Sequence, residues 1–176
     1  LISSGSDVIN FMRNYHANMT TMPFLCPQRI ALAINPKNGN VAMGINTGEL
    51  SVRKSIEQLD QEIVHIHDAK EWIEAIQYSP CGKYLAVGSH DNCIYIYDES
   101  YKLKAKCNKH SSFITSVDWS LDSAYIQATC GAYEILFFDA MSGKQLSDGA
   151  ESLRDEKWAT WTSRIGWSVQ GIYPSG

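Results

Sequence analysis

The sequence predicts an all-β fold: about four blades of four antiparallel strands each, forming part of a larger β-propeller. Three observations lead there. First, residues 74–98 (EAIQYSPCGKYLAVGSHDNCIYIYD) and 115–139 (TSVDWSLDSAYIQATCGAYEILFFD) are copies at a constant offset of 41 residues. Ile73 maps onto Ile114, Tyr84 onto Tyr125, Ile94 onto Ile135 and Asp98 onto Asp139. A period of about 40–45 is the mark of a propeller blade. Second, each copy holds several short alternating or β-branched and aromatic runs separated by turn residues. Third, one such unit cannot bury both of its apolar faces and needs neighbours stacked about an axis.

Along the chain, residues 1–12 read as the end of a preceding blade, because Gly5 to Phe11 resembles Gly131 to Phe137. Residues 13–29, with their Asn, Thr, Met and Pro content, read as an irregular connection. Residues 30–66 form a degenerate blade at an offset of 44: Asn35-Pro36 aligns with Ser79-Pro80, and Leu50-Ser51-Val52 with Ile94-Tyr95-Ile96. Residues 55–66 supply its outer strand and the passage onward.

Residues 67–109 make the clearest blade. Ile76 and Tyr78 alternate with Gln77 as in a strand. Ser79-Pro80-Cys81-Gly82 is turn chemistry, with Pro fixing φ and Gly permitting positive φ. Residues 84–87 are the second strand, 88–92 a turn, 93–97 the third strand, and 101–107 the fourth. Residues 110–147 repeat this order, with strands at 115–120, 125–129, 134–138 and 144–146. Residues 148–176 read as a connection and the start of a further blade.

The composition is that of a globular protein, with 44% hydrophobic and 19% charged residues. A net charge of −4 gives no support for nucleic-acid binding. No apolar run reaches the ~18–20 residues of a membrane span. The opening residues, LISSGSD, read as the middle of a folded unit, so the chain is expected to be a fragment of a longer polypeptide. Such an isolated arc is expected to be poorly soluble. Five scattered cysteines without a Cys-x-x-Cys pair suggest neither a disulfide framework nor a zinc knuckle.

The two best copies resemble WD repeats. Tyr97-Asp98 and Phe138-Asp139 stand where that family has Trp-Asp, and Gly88-Ser89-His90-Asp91 matches its Gly-Ser-x-Asp turn. A narrower resemblance rests on LAVGSHDNCIYIY at residues 85–97, on HSSFIT at 110–115 with Asp118-Trp119-Ser120, and on Tyr133-Glu134-Ile135-Leu136. The tail adds WATWT at 158–162, Gly166-Trp167 and Gly171-Ile172-Tyr173-Pro174. Over residues 30–176 the chain is similar to the echinoderm microtubule-associated-protein-like family.

That resemblance implies a fragment of a tandem WD-repeat propeller in a microtubule-associated, cytoskeletal or ciliary protein. It implies tubulin, microtubules and other proteins as partners, with no nucleic acid, no membrane and no cofactor. Oligomerisation of the parent is expected to run through segments outside these residues. The alternatives are a scaffold of a ciliary or signalling complex without tubulin contact, and an enzyme built on a propeller. No nucleophile–base–orienter series or phosphate loop supports the last.

WD blades carry a buried Asp–His–Ser–Trp hydrogen-bond network. Asp91 takes its Asp position here, with His67 or His65 as its histidine, while Val87 and Tyr97 replace Ser and Trp. His65-x-His67 shares a strand face but has too few companions for a metal site. Lys102, Lys104 and Lys106 alternate along the outermost strand, with Lys109 beyond. Period two places the first three on one side. They guard an open edge or meet an acidic partner. Trp119 fits a strand facing the neighbouring blade. Trp72, before the first strand of its unit, is the preferred aromatic anchor for a partner.

Overall fold

The computed structural model describes residues 31–163 and residue 165. The expectations for residues 1–12 and 13–29, and for the tail beyond residue 165 with Trp167, lie outside the described residues. Within the described residues, three four-stranded antiparallel sheets follow one another. The first is β1 (Ala31–Ile34), β2 (Val41–Gly44), β3 (Leu50–Arg53) and β4 (Glu62–Ile66). The second is β5 (Ile73–Tyr78), β6 (Leu85–Ser89), β7 (Ile94–Tyr97) and β8 (Leu103–Cys107). The third is β9 (Ile114–Trp119), β10 (Tyr125–Cys130), β11 (Ile135–Asp139) and the two-residue β12 (Gln145–Leu146). Strand order within each sheet follows chain order.

The sheets fan out as in a propeller. The first strands β1, β5 and β9 lie beside one another, and β2 and β6 reach the first strand of the sheet that follows. Period-two alternation divides the second sheet between two cores. Ile73, Ile76, Leu85, Val87, Tyr95 and Tyr97 pack against Leu50 and Val52 of the first sheet. Ala86, Ile94 and Ile96 pack against the third with Ile114, Val117, Trp119 and Phe138. A strand buried on both faces reads as a continuous apolar run, which is why IYIY carries no polar residue. Trp119 fills the second of these cores, stacks on Tyr84 and donates its indole N–H to the Gln77 carbonyl at 3.0 Å.

Glycine permits the close approach of neighbouring sheets. A Cβ at Gly88 would lie 2.5 Å from Ile114 Cγ2, and one at Gly44 would collide with Ile73. The turns between first and second strands repeat as well. Ser79 and Ser120 are fully buried, and their hydroxyls accept the backbone N–H of Tyr84 and Tyr125. Gly82 at φ 74° and Ser123 at φ 66° hold equivalent left-handed positions.

Several strand ends differ from the sequence reading by one or two residues. β6 continues to Ser89, where a turn was expected from Gly88. β8 begins at Leu103, because the Asp98 carboxylate takes the amides of Ser100 and Lys102 and Tyr101 is left-handed at φ 59°.

The third sheet differs on its far face. Ser116, Asp118, Gln127 and Thr129 alternate with the core residues and are buried. After the short helical turn α1 (Gly149–Ser152), the chain returns to this sheet. Ser120 and Trp158 form a bridge, flanked by Leu121 N–H to Lys157 C=O and Ala159 N–H to Trp119 C=O. Beyond it, the Asp118 carboxylate accepts Thr160 Oγ1 at 2.7 Å, Thr162 N–H at 2.8 Å, Thr162 Oγ1 at 2.9 Å and Ser163 N–H at 3.2 Å.

Candidate functional site

β5 and β9 start, and β6 and β10 finish, at the same end of the arc. The loops of that end carry an aromatic row. The Trp72 ring stacks on His90 at 4.5 Å between centroids, and His90 stacks on Phe113 at 4.7 Å. His90 is held from two sides: its backbone N–H donates to the Trp72 carbonyl, and ring Nε2 lies 2.6 Å from Glu74 Oε2. Phe113 sits over Gly131, where any Cβ would meet its ring. The Gly131 N–H donates to the Phe113 carbonyl at 2.8 Å. Next to it, Tyr133 is 86% exposed and left-handed at φ 61°.

Of this row the sequence reading singled out Trp72 alone. Phe113 occupies the same place one repeat later, so the 41-residue offset was the signal that could have found it. A rigid aromatic body with a polar handle suits protein contact.

Asp91 sits in the turn below the row. Its carboxylate accepts the Tyr95 hydroxyl at 2.7 Å, the Lys70 N–H at 3.0 Å and the Cys93 N–H at 3.2 Å. Burial pushes its carboxyl up, but these hydrogen bonds outweigh burial and hold it below the usual range. Both alternatives for its histidine are engaged elsewhere. His67 Nε2 faces the Thr47 carbonyl at 3.2 Å, and His65 Nδ1 lies 3.4 Å from Glu62. The network closes through Tyr95 instead. Burial raises the Tyr95 phenol to about 12, and its oxygen accepts Lys106 Nζ at 3.0 Å.

Lys102, Lys104, Lys106 and Lys109 are all exposed. The first three do not form one stripe. β7 and β8 change register between Ile96 and Tyr97, where Ala105 and Leu103 are the partners and Lys104 is the extra residue. Such a bulge breaks strict alternation. Lys104 Nζ therefore lies 5.5 Å from the Tyr84 ring, towards the third sheet. Lys106 Nζ lies 4.5 Å from the Tyr95 ring, towards the first.

In the third sheet, His110, Cys130 and Glu134 bring their donor atoms within 4.8 Å of one another. His110 is 6% exposed, and neither ring nitrogen has a hydrogen-bond partner among the described residues. Cys130 Sγ donates to Glu134 Oε2 at 3.3 Å, and the Ser111 N–H donates to the same oxygen at 3.2 Å. The sequence reading missed this cluster, whose members lie 20 and 4 residues apart in the chain.

Residues 4–176 match a family model described as the echinoderm microtubule-associated protein second beta-propeller. A ciliary WD repeat-containing protein, ctxp80, of Euplotoides octocarinatus is 43% identical over 88% of this chain and 22% of its own length. The 77 kDa echinoderm microtubule-associated protein of Lytechinus variegatus is 44% identical over 81% of the chain and 22% of its own length. Human echinoderm microtubule-associated protein-like 3 is 44% identical over 81% and 16%. The chain thus spans about a fifth of the length of these relatives.

Among solved structures, the β-propeller domain of Myceliophteria thermophila Cps50 (Swd1) superposes with a TM-score of 0.60 at 13% identity, over 72% of this chain and 40% of that one. A chain of the mitotic checkpoint complex gives 0.56 at 20%, over 61% and 34%. These two likenesses speak for the fold alone.

Proposed function

The chain belongs to the echinoderm microtubule-associated protein family, and from that premise we propose that it is a non-enzymatic binding arc of a microtubule-associated WD-repeat protein. Its surfaces bind tubulin in microtubules together with accessory proteins, at the cytoskeleton or in the cilium. The observation that carries this reading is the 40–44% identity, over four fifths of the chain, to proteins named for microtubule association. The structure supplies surfaces suited to the task. The Trp72–His90–Phe113 row offers a pre-stacked anchor that loses little side-chain entropy on binding. Lys102 and Lys109, with Lys104 and Lys106 at the outer edge, offer basic contacts to an acidic partner.

The test is microtubule co-pelleting of the full-length protein across a salt series. Pelleting at low salt that fades at high salt is expected, and Trp72→Ala should weaken it by about 10-fold or more. Unchanged pelleting of that variant would remove the aromatic row from the interface. Absence of pelleting at low salt would favour the second reading, a scaffold of a ciliary complex. The 43% identity to a ciliary WD repeat-containing protein supports that alternative.

A further inference from the structure

The repeat shows what is peculiar about the cluster at the loop end of the third sheet. One period earlier, the positions of His110, Cys130 and Glu134 are held by Ala69, Ser89 and Cys93. There the polar needs close internally: the Ser89 hydroxyl donates to the Glu71 carbonyl, and the Lys70 amide is taken by Asp91. In the third sheet Ala132 stands in place of Asp91, and Glu134 accepts the equivalent amide, that of Ser111. The same fold position has exchanged an alanine, a serine and a thiol for an imidazole, a thiol and a carboxylate.

His110 makes the exchange costly. A buried imidazole without a hydrogen bond loses its hydration; both nitrogens of His110 are in that state among the described residues, and the ring keeps only a tilted contact with Phe138 at 5.7 Å between centroids. A cation would use one of those nitrogens. We propose that His110, Cys130 and Glu134 form a site for a divalent cation of the zinc type. Nitrogen, sulfur and oxygen donors together suit a borderline-soft ion, and three protein ligands leave one position open.

The spacing is close to what such an ion needs. Metal–ligand distances of about 2.0–2.3 Å put tetrahedral donors roughly 3.3–3.8 Å apart. Cys130 Sγ and Glu134 Oε2 are already 3.3 Å apart, and no pair of donors exceeds 4.8 Å. Binding would release the thiol proton to solvent, leaving thiolate on the metal. The Ser111 N–H would hold the carboxylate from behind as an outer-shell partner. Glu134 is partly exposed, so the open position lies on the solvent side, next in the chain to the exposed Tyr133.

The experiment titrates the purified full-length protein with Co2+ as a spectroscopic stand-in, and with Zn2+ while following the melting temperature. A thiolate-to-cobalt charge-transfer band and a Zn2+-dependent rise in Tm are expected. Cys130→Ser installs the residue used at this position one repeat earlier. It should abolish the band and weaken Zn2+ binding by more than about 100-fold, beyond the loss typical of an outer-shell change. Cys93→Ser should leave both readouts as in the wild type. If Cys130→Ser does not fold, Glu134→Gln carries the affinity test. No charge-transfer band in the wild type, or a band and affinity unaffected by these ligand substitutions, would overturn the proposal.

Discussion

Gly88→Ala is the sharpest probe of how the sheets lean on one another. The added carbon would lie 2.5 Å from Ile114 Cγ2, 3.1 Å from Ile114 Cβ and 3.2 Å from Val117 Cγ2. Ordinary contact needs 3.4–4 Å, so the first strand of the third sheet must retreat by about 1 Å. Ile114 and Val117 are both fully buried, which leaves no solvent side to yield. Overpacking of this kind costs about 1–3 kcal/mol. Ile114→Ala alone should cost about 2–5 kcal/mol through the cavity it leaves. In the double variant the methyl at position 88 enters part of that cavity. The two changes should therefore compensate each other by about 1–2 kcal/mol. Gly39→Ala is the control: it meets no atom within 4 Å, and only its φ of 76° opposes the change, for about 1 kcal/mol. Urea midpoints of the full-length variants give the comparison. A near-neutral Gly88→Ala, or costs that simply add in the double variant, would refute direct packing between β6 and β9.

Three further outcomes are expected. Asp118→Asn replaces a fully buried acceptor of four hydrogen bonds from residues 160–163 with a group that also donates. It should cost about 2–4 kcal/mol and open that segment to limited proteolysis. Burial holds the His110 imidazole down at about 4, against an ordinary 6.5 and despite the pull of Glu134. Its folded value is the depressed one, so the unfolded chain binds the extra proton. Stability should then fall as pH drops from about 6.5 to 4, by roughly 2 kcal/mol. His110→Leu, measured with chelator present, should flatten that limb. Tyr133→Asn should raise stability by about 0.5–1 kcal/mol, because Asn92 adopts the same left-handed turn one repeat earlier at φ 66°; thermal melts test the sign.

The parts of the fold that follow from local periodicity were legible in the residues themselves. The 41-residue offset set out four strands in each of two sheets, and the buried run IYIY marked a strand covered on both faces. Trp119 stands in the core between the second and third sheets, as its place in a strand facing the neighbouring blade suggested. What escaped depends on register or on side-chain reach. A one-residue bulge at Lys104 sends two lysines to opposite faces, and nothing in LKAKC announces it. The partner of Asp91 proved to be a phenol four residues on, because a tyrosine on β7 reaches the turn that a distant histidine was expected to fill.

The most informative positions are those where one repeat departs from the other. Ala69 becomes His110, Ser89 becomes Cys130, and Asp91 becomes Ala132. A repeat built only for packing has no reason to bury an unpartnered imidazole against a thiol, since each orphaned polar group works against folding. Apolar matches between copies thus report the architecture, while polar mismatches at buried positions mark where this arc does something its neighbouring sheet does not.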